Sequence, residues 1–220
     1  MPELTDIQRL AVMALPILLA ITLHEVAHGW AALRFGDTTA QSQGRLSLNP
    51  LRHVDPIGTV LVPLVLFFTA GFIFGWAKPV SVSMYRLRQP RRDMAFVALA
   101  GPGANLLMAL GWVLMMVLGA VLSHTLPMLG QPLFFMGHDG IIINVVLAVL
   151  NLLPLPPLDG SRVLAALLPA RYGAAMYRFD QIGLLVLVLL MATGMLGRII
   201  DPMINLVTHF FYWLVLNLLR

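Results

Sequence analysis

The sequence predicts an all-α polytopic membrane protein, folded as a single domain over residues 1–220. Hydrophobic residues make up 59% of the chain and charged residues only 11%, whereas soluble domains carry about 25% charged residues. The apolar residues also form long uninterrupted blocks, unlike the short periodic runs of a soluble core. The net charge of +4 comes from short basic clusters between these blocks and does not indicate nucleic-acid binding.

Six hydrophobic segments stand out along the chain, and a helix needs about 20 apolar residues to cross a bilayer core of about 30 Å. All of them except the second and the fourth are predicted to be full transmembrane helices. In chain order they are residues 10–33, 57–76, 95–122, 140–157, 182–200 and 203–219.

The second segment, 57–76, conflicts with a simple crossing. The loops on either side of it, 34–56 and 77–94, are both rich in Lys and Arg and are both expected in the cytoplasm. A re-entrant hairpin at 57–76, interrupted by Pro63 and Gly71, removes the conflict. Six plain spans are the alternative.

The remaining loops predict the orientation in the membrane. The loop 123–139 has no Lys or Arg, whereas 160–181 has three Arg residues. By the positive-inside rule the N-terminus lies outside and the C-terminus inside. We therefore expect a multi-pass protein of the inner cell membrane in which the loops 34–56 and 77–94, and any functional site beside them, face the cytoplasm.

Two polar pieces beside the membrane predict a small β element. They are Thr38–Leu48 and Pro79–Tyr85, and in the second Val80 and Val82 alternate with serines, the period of a strand. A sheet at the membrane edge would present a free edge for an extended peptide.

The first hydrophobic segment contains His24-Glu25-Val26-Ala27-His28 and no other ionisable residue from Leu10 to Leu33. Residues i and i+4 share one face of a helix, so His24 and His28 can bind one metal ion. Glu25 then lies beside that ion and can act as a general base. Ionisable residues within a span are costly, which makes a chance match a weak explanation.

A third protein ligand is expected from a carboxylate, because the chain has no cysteine. Asp159 follows a stretch with prolines at 154, 156 and 157, which cannot continue a regular helix. Such a break is a means of bringing Asp159 to the metal. The alternative is that Asp159 caps a helix over 161–168.

Two motifs together resemble the site-2 protease family of intramembrane zinc metalloproteases. They are HExxH at 24–28 and NxxPxxxLDG at 151–160, and residues 101–105 resemble the GPxxN element that lies between them in this family. Residues 75–80 are similar to the segment that forms a membrane-edge strand there. The chain looks like a compact prokaryotic member without PDZ or CBS domains.

The resemblance implies one Zn²⁺ per chain, bound by His24, His28 and Asp159, with Glu25 as catalytic base. It also implies that Asn151 holds the substrate or the oxyanion, for which an interhelical hydrogen bond is the alternative. Asn105 and Asn144 are candidates for structural polar contacts between helices or for the lining of a polar cavity.

These observations favour an intramembrane zinc endopeptidase that cleaves transmembrane segments of membrane-protein substrates. Its partners are then the substrate and the lipid bilayer, with no nucleic acid. One alternative is a divalent metal transporter, although the sequence offers no ladder of further ligands. The other is a non-catalytic, protease-like membrane binder, which would have no need of Glu25.

Overall fold

The computed structural model describes residues 6–62, 65, 75, 77–176 and 179–220, and within these ranges the chain is all-helical with no strand. Turns of 3₁₀ type lie at Pro50–Arg52 and Met84–Arg86, and a π-helical turn lies at Pro56–Leu61. The α-helices are α1 (Asp6–Arg34), α2 (Thr39–Ser42), α3 (Pro90–Leu122), α4 (Pro127–Asn151), α5 (Asp159–Leu167), α6 (Ala170–Met176), α7 (Asp180–Ala192) and α8 (Met195–Leu218).

In the described part of the chain, four helices are long and apolar enough to cross a membrane: α1 from Ala11, α3, α4 and α8. α7 is also apolar but has only 13 residues, which at about 1.5 Å per residue falls short of the bilayer core. The chain is therefore a multi-pass membrane protein.

Most of the second hydrophobic segment, and with it the expected re-entrant hairpin at 57–76, lies outside the described residues. Its two flanks meet, since the backbone N–H of Lys78 donates to the carbonyl of His53 at 2.8 Å. The N–H of Arg88 likewise donates to Phe35 O, just beyond α1, at 3.1 Å. Both basic loops thus lie together at the Arg34 end of α1.

Two predicted segment boundaries are wrong. The fourth segment, predicted to begin at 140, belongs to a full helix that begins at Pro127 and ends at Asn151, where the proline-rich stretch follows. The fifth, predicted as one span over 182–200, is divided at Gly194, which has a φ of +69°. Residues with side chains adopt this left-handed conformation at a cost, so the glycine ends one helix and starts the next.

The predicted β element is not found among the described residues. Thr38–Leu48 contains the one-turn helix α2, and the stretch 77–83 forms neither a helix nor a strand. Side-chain carboxylates bind two of its backbone N–H groups, at Val80 and Ser83. The stretch is held against α1 and the loop that follows it by these bonds instead of by a sheet.

The apolar core lies between α3, α4, α7 and α8, around Trp112, Ile141, Val145, Leu187 and Phe211. Glycines bring α3 and α4 together so closely that their backbones touch. A Cβ at position 137 would lie 2.4 Å from Met116 N, and one at 119 would lie 2.2 Å from Phe134 N. Small residues permit this approach, which is how helices associate within lipid.

Candidate metal centre and active site

Three side chains from two helices converge on one point. His24 and His28 lie one turn apart on α1, and their Nε2 atoms are 3.0 Å from each other. Asp159 Oδ2, at the start of α5, lies 3.3 Å from His24 Nε2 and 3.2 Å from His28 Nε2. The structure thus brings together the three ligands that the sequence predicts, all within 4.8 Å of one another.

The ring nitrogens on the far side of each imidazole are already engaged. His24 Nδ1 lies 2.6 Å from Asn105 Oδ1, and His28 Nδ1 lies 2.7 Å from the backbone carbonyl of Val97. Carbonyl oxygens only accept hydrogen bonds, so both Nδ1 atoms donate, and in the neutral rings both Nε2 atoms carry a bare lone pair. Histidines that bind metals are commonly held in this way.

The donor set fits a zinc ion. The Nε2 lone pairs of His24 and His28 face Asp159 Oδ2. This oxygen is buried and has no hydrogen-bond partner among the described residues. Such an arrangement is repulsive without a cation between the three atoms. Ligands at 2.0–2.1 Å from a tetrahedral zinc lie about 3.3 Å apart, close to the separations found here.

Asp159 reaches the histidines because the chain leaves α4 at Asn151 and re-enters a helix eight residues later. Gly160 allows a tight return, since a Cβ there would lie 2.2 Å from Leu152 O. Asp159 occupies the first turn of α5, and its Oδ2 faces the two imidazoles. This contact favours a ligand role over the alternative of a helix cap.

α3 forms the wall behind the histidines. A Cβ at Gly101 would lie 2.4 Å from His28 Nε2 and 2.6 Å from His24 Cε1, so only glycine leaves room for both rings. One turn to either side of it, α3 supplies the two acceptors, Val97 O and Asn105 Oδ1.

Glu25 lies on the same helix as the histidines and is held from outside it. Its Oε2 accepts a hydrogen bond of 2.7 Å from the backbone N–H of Val80. Val80 is buried against α1 at Gly29, where a Cβ would lie 3.0 Å from the valine Cγ1. The stretch 77–83 therefore passes directly beside the candidate catalytic base.

Asp37 anchors the far end of the same stretch. It is fully buried and accepts hydrogen bonds from Ser83 N at 2.6 Å, Thr39 N at 2.9 Å and Thr39 Oγ1 at 2.5 Å. Burial by itself would raise the pKa of this carboxyl, but these hydrogen bonds, with Arg86 nearby, hold the pKa below its usual value.

A cavity of about 1490 Å³ opens onto the site, lined by His24, Glu25, His28 and Asp159 and by mostly apolar residues of α1, α3, α4, α5, α7 and the stretch 79–85. Asn151 lines this cavity beside the candidate ligands. Its Nδ2 donates to Leu147 O, one turn back in α4, at 3.0 Å. Asn105 and Asn144 lie instead behind the site, fully buried between helices.

Sequence reasoning missed the backbone partners of the site. The N–H of Val80 and the carbonyl of Val97 have no side-chain signature, and Asp37 appeared only as a loop residue. Gly101 had a signal, because it begins the GPxxN element, but its contact with the imidazoles depends on how α3 packs against α1.

Comparisons with known proteins find a family model and relatives described as zinc metalloproteases. Residues 128–194, which include Asn151 and Asp159, match the family model described as peptidase family M50. "Putative zinc metalloprotease YwhC" of Bacillus subtilis is 38% identical over 199 residues, which cover 88% of this chain and 85% of that protein. A protein of Mycolicibacterium smegmatis with the same description, Rip2, is 32% identical over 182 residues, 82% of this chain and 66% of that protein.

No solved structure matches the chain. The Bacillus subtilis relative is matched over most of its length, and the family model is matched across the region of Asn151 and Asp159. The chain therefore belongs to peptidase family M50, the site-2 protease family, and is a membrane metallopeptidase.

Proposed function

We propose that this chain is an intramembrane endopeptidase that hydrolyses peptide bonds in membrane-spanning segments of protein substrates. Its cofactor is Zn²⁺, one ion per chain, held by His24, His28 and Asp159. The observation that carries the proposal is the depth of this ligand set. His28 and His24 lie six and ten residues from the Arg34 end of the span, which is about 9 and 15 Å along the helix.

The chemistry divides between the ion and the side chains around it. When bound, zinc acts as a Lewis acid that polarises the scissile carbonyl and lowers the pKa of a water molecule. Glu25 would take a proton from the attacking water molecule and deliver it to the leaving amine, and Val80 N–H would orient the carboxylate for both transfers. Asn151, at the cavity wall, holds the substrate or donates to the oxyanion.

The substrate must enter as an extended chain. In a helix the peptide carbonyls are already hydrogen-bonded, so a transmembrane helix has to unwind locally before it is cut. The cavity has room for such a segment, and residues 79–83 line it next to Glu25. We therefore expect substrates with glycine, proline or other helix-weakening residues near the cleaved bond.

The active site faces the cytoplasm, and the protein lies in the inner cell membrane, as one domain over 1–220. Support comes from the distribution of basic residues. The connections at the Arg34 end of α1 carry Arg45, Arg52, Lys78, Arg86 and Arg88, whereas residues 123–126, between α3 and α4, carry no Lys or Arg. The positive-inside rule assigns the basic end to the cytoplasm.

A metal transporter is a weaker interpretation. It requires several ligand groups in a row across the membrane, whereas the described residues contain one three-ligand group, His24 with His28 and Asp159. A non-catalytic binder would not need a carboxylate beside the metal position, whereas here the Val80 N–H holds the Glu25 carboxylate there.

The test is cleavage of tagged transmembrane peptides by the purified full chain in detergent with zinc. Wild type is compared with Glu25→Gln and Asp159→Ala, and with Asp201→Asn as a carboxylate control on the exposed surface of α8. We expect Glu25→Gln to keep zinc and lose cleavage, Asp159→Ala to lose both, and the control to keep both. Full cleavage by Glu25→Gln, or unchanged zinc binding by Asp159→Ala, would overturn the assignment.

A further inference from the structure

Two asparagines are buried directly behind the candidate zinc site, and the proposed hydrolysis assigns no step to either of them. Asn105 on α3 and Asn144 on α4 are both 0% exposed. Their side chains join three helices, because Asn105 Nδ2 donates to Asn144 Oδ1 at 2.9 Å and to Ala20 O on α1 at 3.3 Å. Burying two amides in an apolar core is costly unless each is fully bonded, so their arrangement is tightly constrained.

The direction of each hydrogen bond follows from main-chain carbonyls, which can only accept. Asn144 lies 2.9 Å from Gly140 O, so it must direct its Nδ2 there and its Oδ1 towards Asn105. Asn105 must then direct its Nδ2 towards Asn144 and Ala20 O, which leaves Oδ1 for His24 Nδ1 at 2.6 Å. An amide oxygen accepts, so His24 is left as the Nδ1–H tautomer, with its Nε2 lone pair directed at the metal position.

We propose that Asn105 and Asn144 form a relay that positions His24 and sets its tautomer for zinc binding. Asn105 is the positioning residue in contact with His24, and Asn144 fixes which way the Asn105 amide points. The proposal rests on the proposed zinc site and adds to it the function of the asparagine in the GPxxN element.

The two histidines depend on the surrounding chain in different ways. His28 donates to a main-chain carbonyl, Val97 O, which no side-chain substitution removes. His24 depends on a side chain, and that side chain depends on a second one. The relay is therefore the part of the zinc site that substitutions behind it can disturb without touching a ligand.

A purely structural role is the competing explanation, in which the amides only join α1, α3 and α4. Asn105→Asp separates the two roles. An aspartate side chain there still accepts from His24 Nδ1–H, but it has at most one O–H, so it loses at least one of the two interhelical donations, to Asn144 Oδ1 and to Ala20 O. Asn105→Leu, of similar size, loses the interhelical bonds and the acceptor for His24 together.

The experiment measures zinc affinity of the full chain in detergent by competition with a chelator, together with the visible spectrum of the Co²⁺-substituted protein. Asn105→Leu is expected to weaken zinc binding about 10- to 100-fold, the usual effect of removing such a partner of a histidine ligand, and to shift the Co²⁺ bands. Asn105→Asp is expected to lose clearly less zinc affinity than Asn105→Leu, because it keeps the acceptor for His24. Thr22→Val, which removes a buried hydroxyl from the same helix as His24, is expected to change neither readout.

The second arm tests the relay at its far end. Asn144→Leu removes the acceptor for Asn105 Nδ2 and should weaken zinc binding less than Asn105→Leu. Asn144→Asp faces the carbonyl of Gly140, which only accepts; with its single O–H directed there and its other oxygen accepting from Asn105, it should keep zinc affinity closer to wild type than Asn144→Leu does.

The outcomes separate the two proposals. Equal zinc affinity in wild type and Asn105→Leu, or equal losses in Asn105→Asp and Asn105→Leu, would overturn the relay while leaving the zinc site intact. Failure of the wild-type chain to bind zinc at all would instead overturn the proposed function. Size-exclusion profiles and helix content, measured for every variant, show whether a loss of zinc accompanies a loss of fold.

Discussion

The most direct test of the site geometry is the addition of one methyl group at Gly101. In Gly101→Ala the new Cβ would lie 2.4 Å from His28 Nε2 and 2.6 Å from His24 Cε1. Ordinary contact needs at least about 3.5 Å, so each ring must withdraw by about 1 Å, or α3 must move away by as much. Metal–ligand distances tolerate only about 0.2 Å, so the ligand set cannot absorb the change.

Overpacking of this kind costs about 1–3 kcal/mol. If the whole cost falls on the zinc-bound state, zinc affinity decreases roughly 5- to 150-fold. Gly103→Ala is the matched control, since it lies two residues away on the same helix and its Cβ would meet nothing within 4 Å. Both substitutions raise helix propensity by about 1 kcal/mol, so this contribution cancels in the comparison.

The assay is zinc affinity by chelator competition in detergent, with thermal unfolding of the zinc-free proteins measured alongside. We expect Gly103→Ala to bind zinc like wild type and Gly101→Ala to bind it weakly while remaining folded. Wild-type zinc affinity in Gly101→Ala would refute the position assigned to α3 behind the histidines.

Two further predictions concern the stretch 79–83. Val80→Pro removes the N–H that holds Glu25 and should lower peptidase activity about 10-fold or more with zinc content unchanged, because a hydrogen bond to a charged group contributes about 1.5–3 kcal/mol. Val80→Ala keeps the N–H and should retain most of the activity. An equal loss of activity in both variants would exclude this role of the Val80 N–H. Because the folded pKa of Asp37 lies below its unfolded value, its contribution to stability is present above about pH 4 and is lost as the pH falls through the folded pKa. Thermal unfolding between about pH 3 and 6 should therefore show wild type losing stability on acidification more steeply than Asp37→Asn, and parallel curves would contradict the anchoring role of Asp37.

The sequence by itself was enough to select the candidate residues for the chemistry. His24, Glu25 and His28 were identifiable because helical periodicity alone places residues i and i+4 on one face of a helix. Ionisable residues are also costly within an apolar span, so a chance occurrence is a weak explanation for them. Asp159 was a candidate ligand because the prolines before it cannot continue a regular helix and can bring its carboxylate to the metal position. The membrane class followed from composition and block length.

Segment boundaries near glycines and prolines were less predictable. The division at Gly194 depends on one backbone dihedral, and hydropathy does not distinguish 182–200 from a continuous span. The stretch 79–83 has the alternation of a strand, yet its N–H groups at Val80 and Ser83 bind Glu25 and Asp37 instead of a partner strand. Alternation of apolar and polar residues indicates which side chains are buried. It does not indicate which acceptors the backbone N–H groups bind.

Only the tertiary structure decided how the site is supported. Asn105 and Asn144 are 39 residues apart in sequence, and nothing local indicates that one directs the other towards His24. The same is true of Gly101, whose importance depends on α3 lying within contact distance of two imidazoles on α1. Ligand types and their spacing are local properties of the chain, whereas hydrogen-bond direction and close approach arise only when distant helices pack.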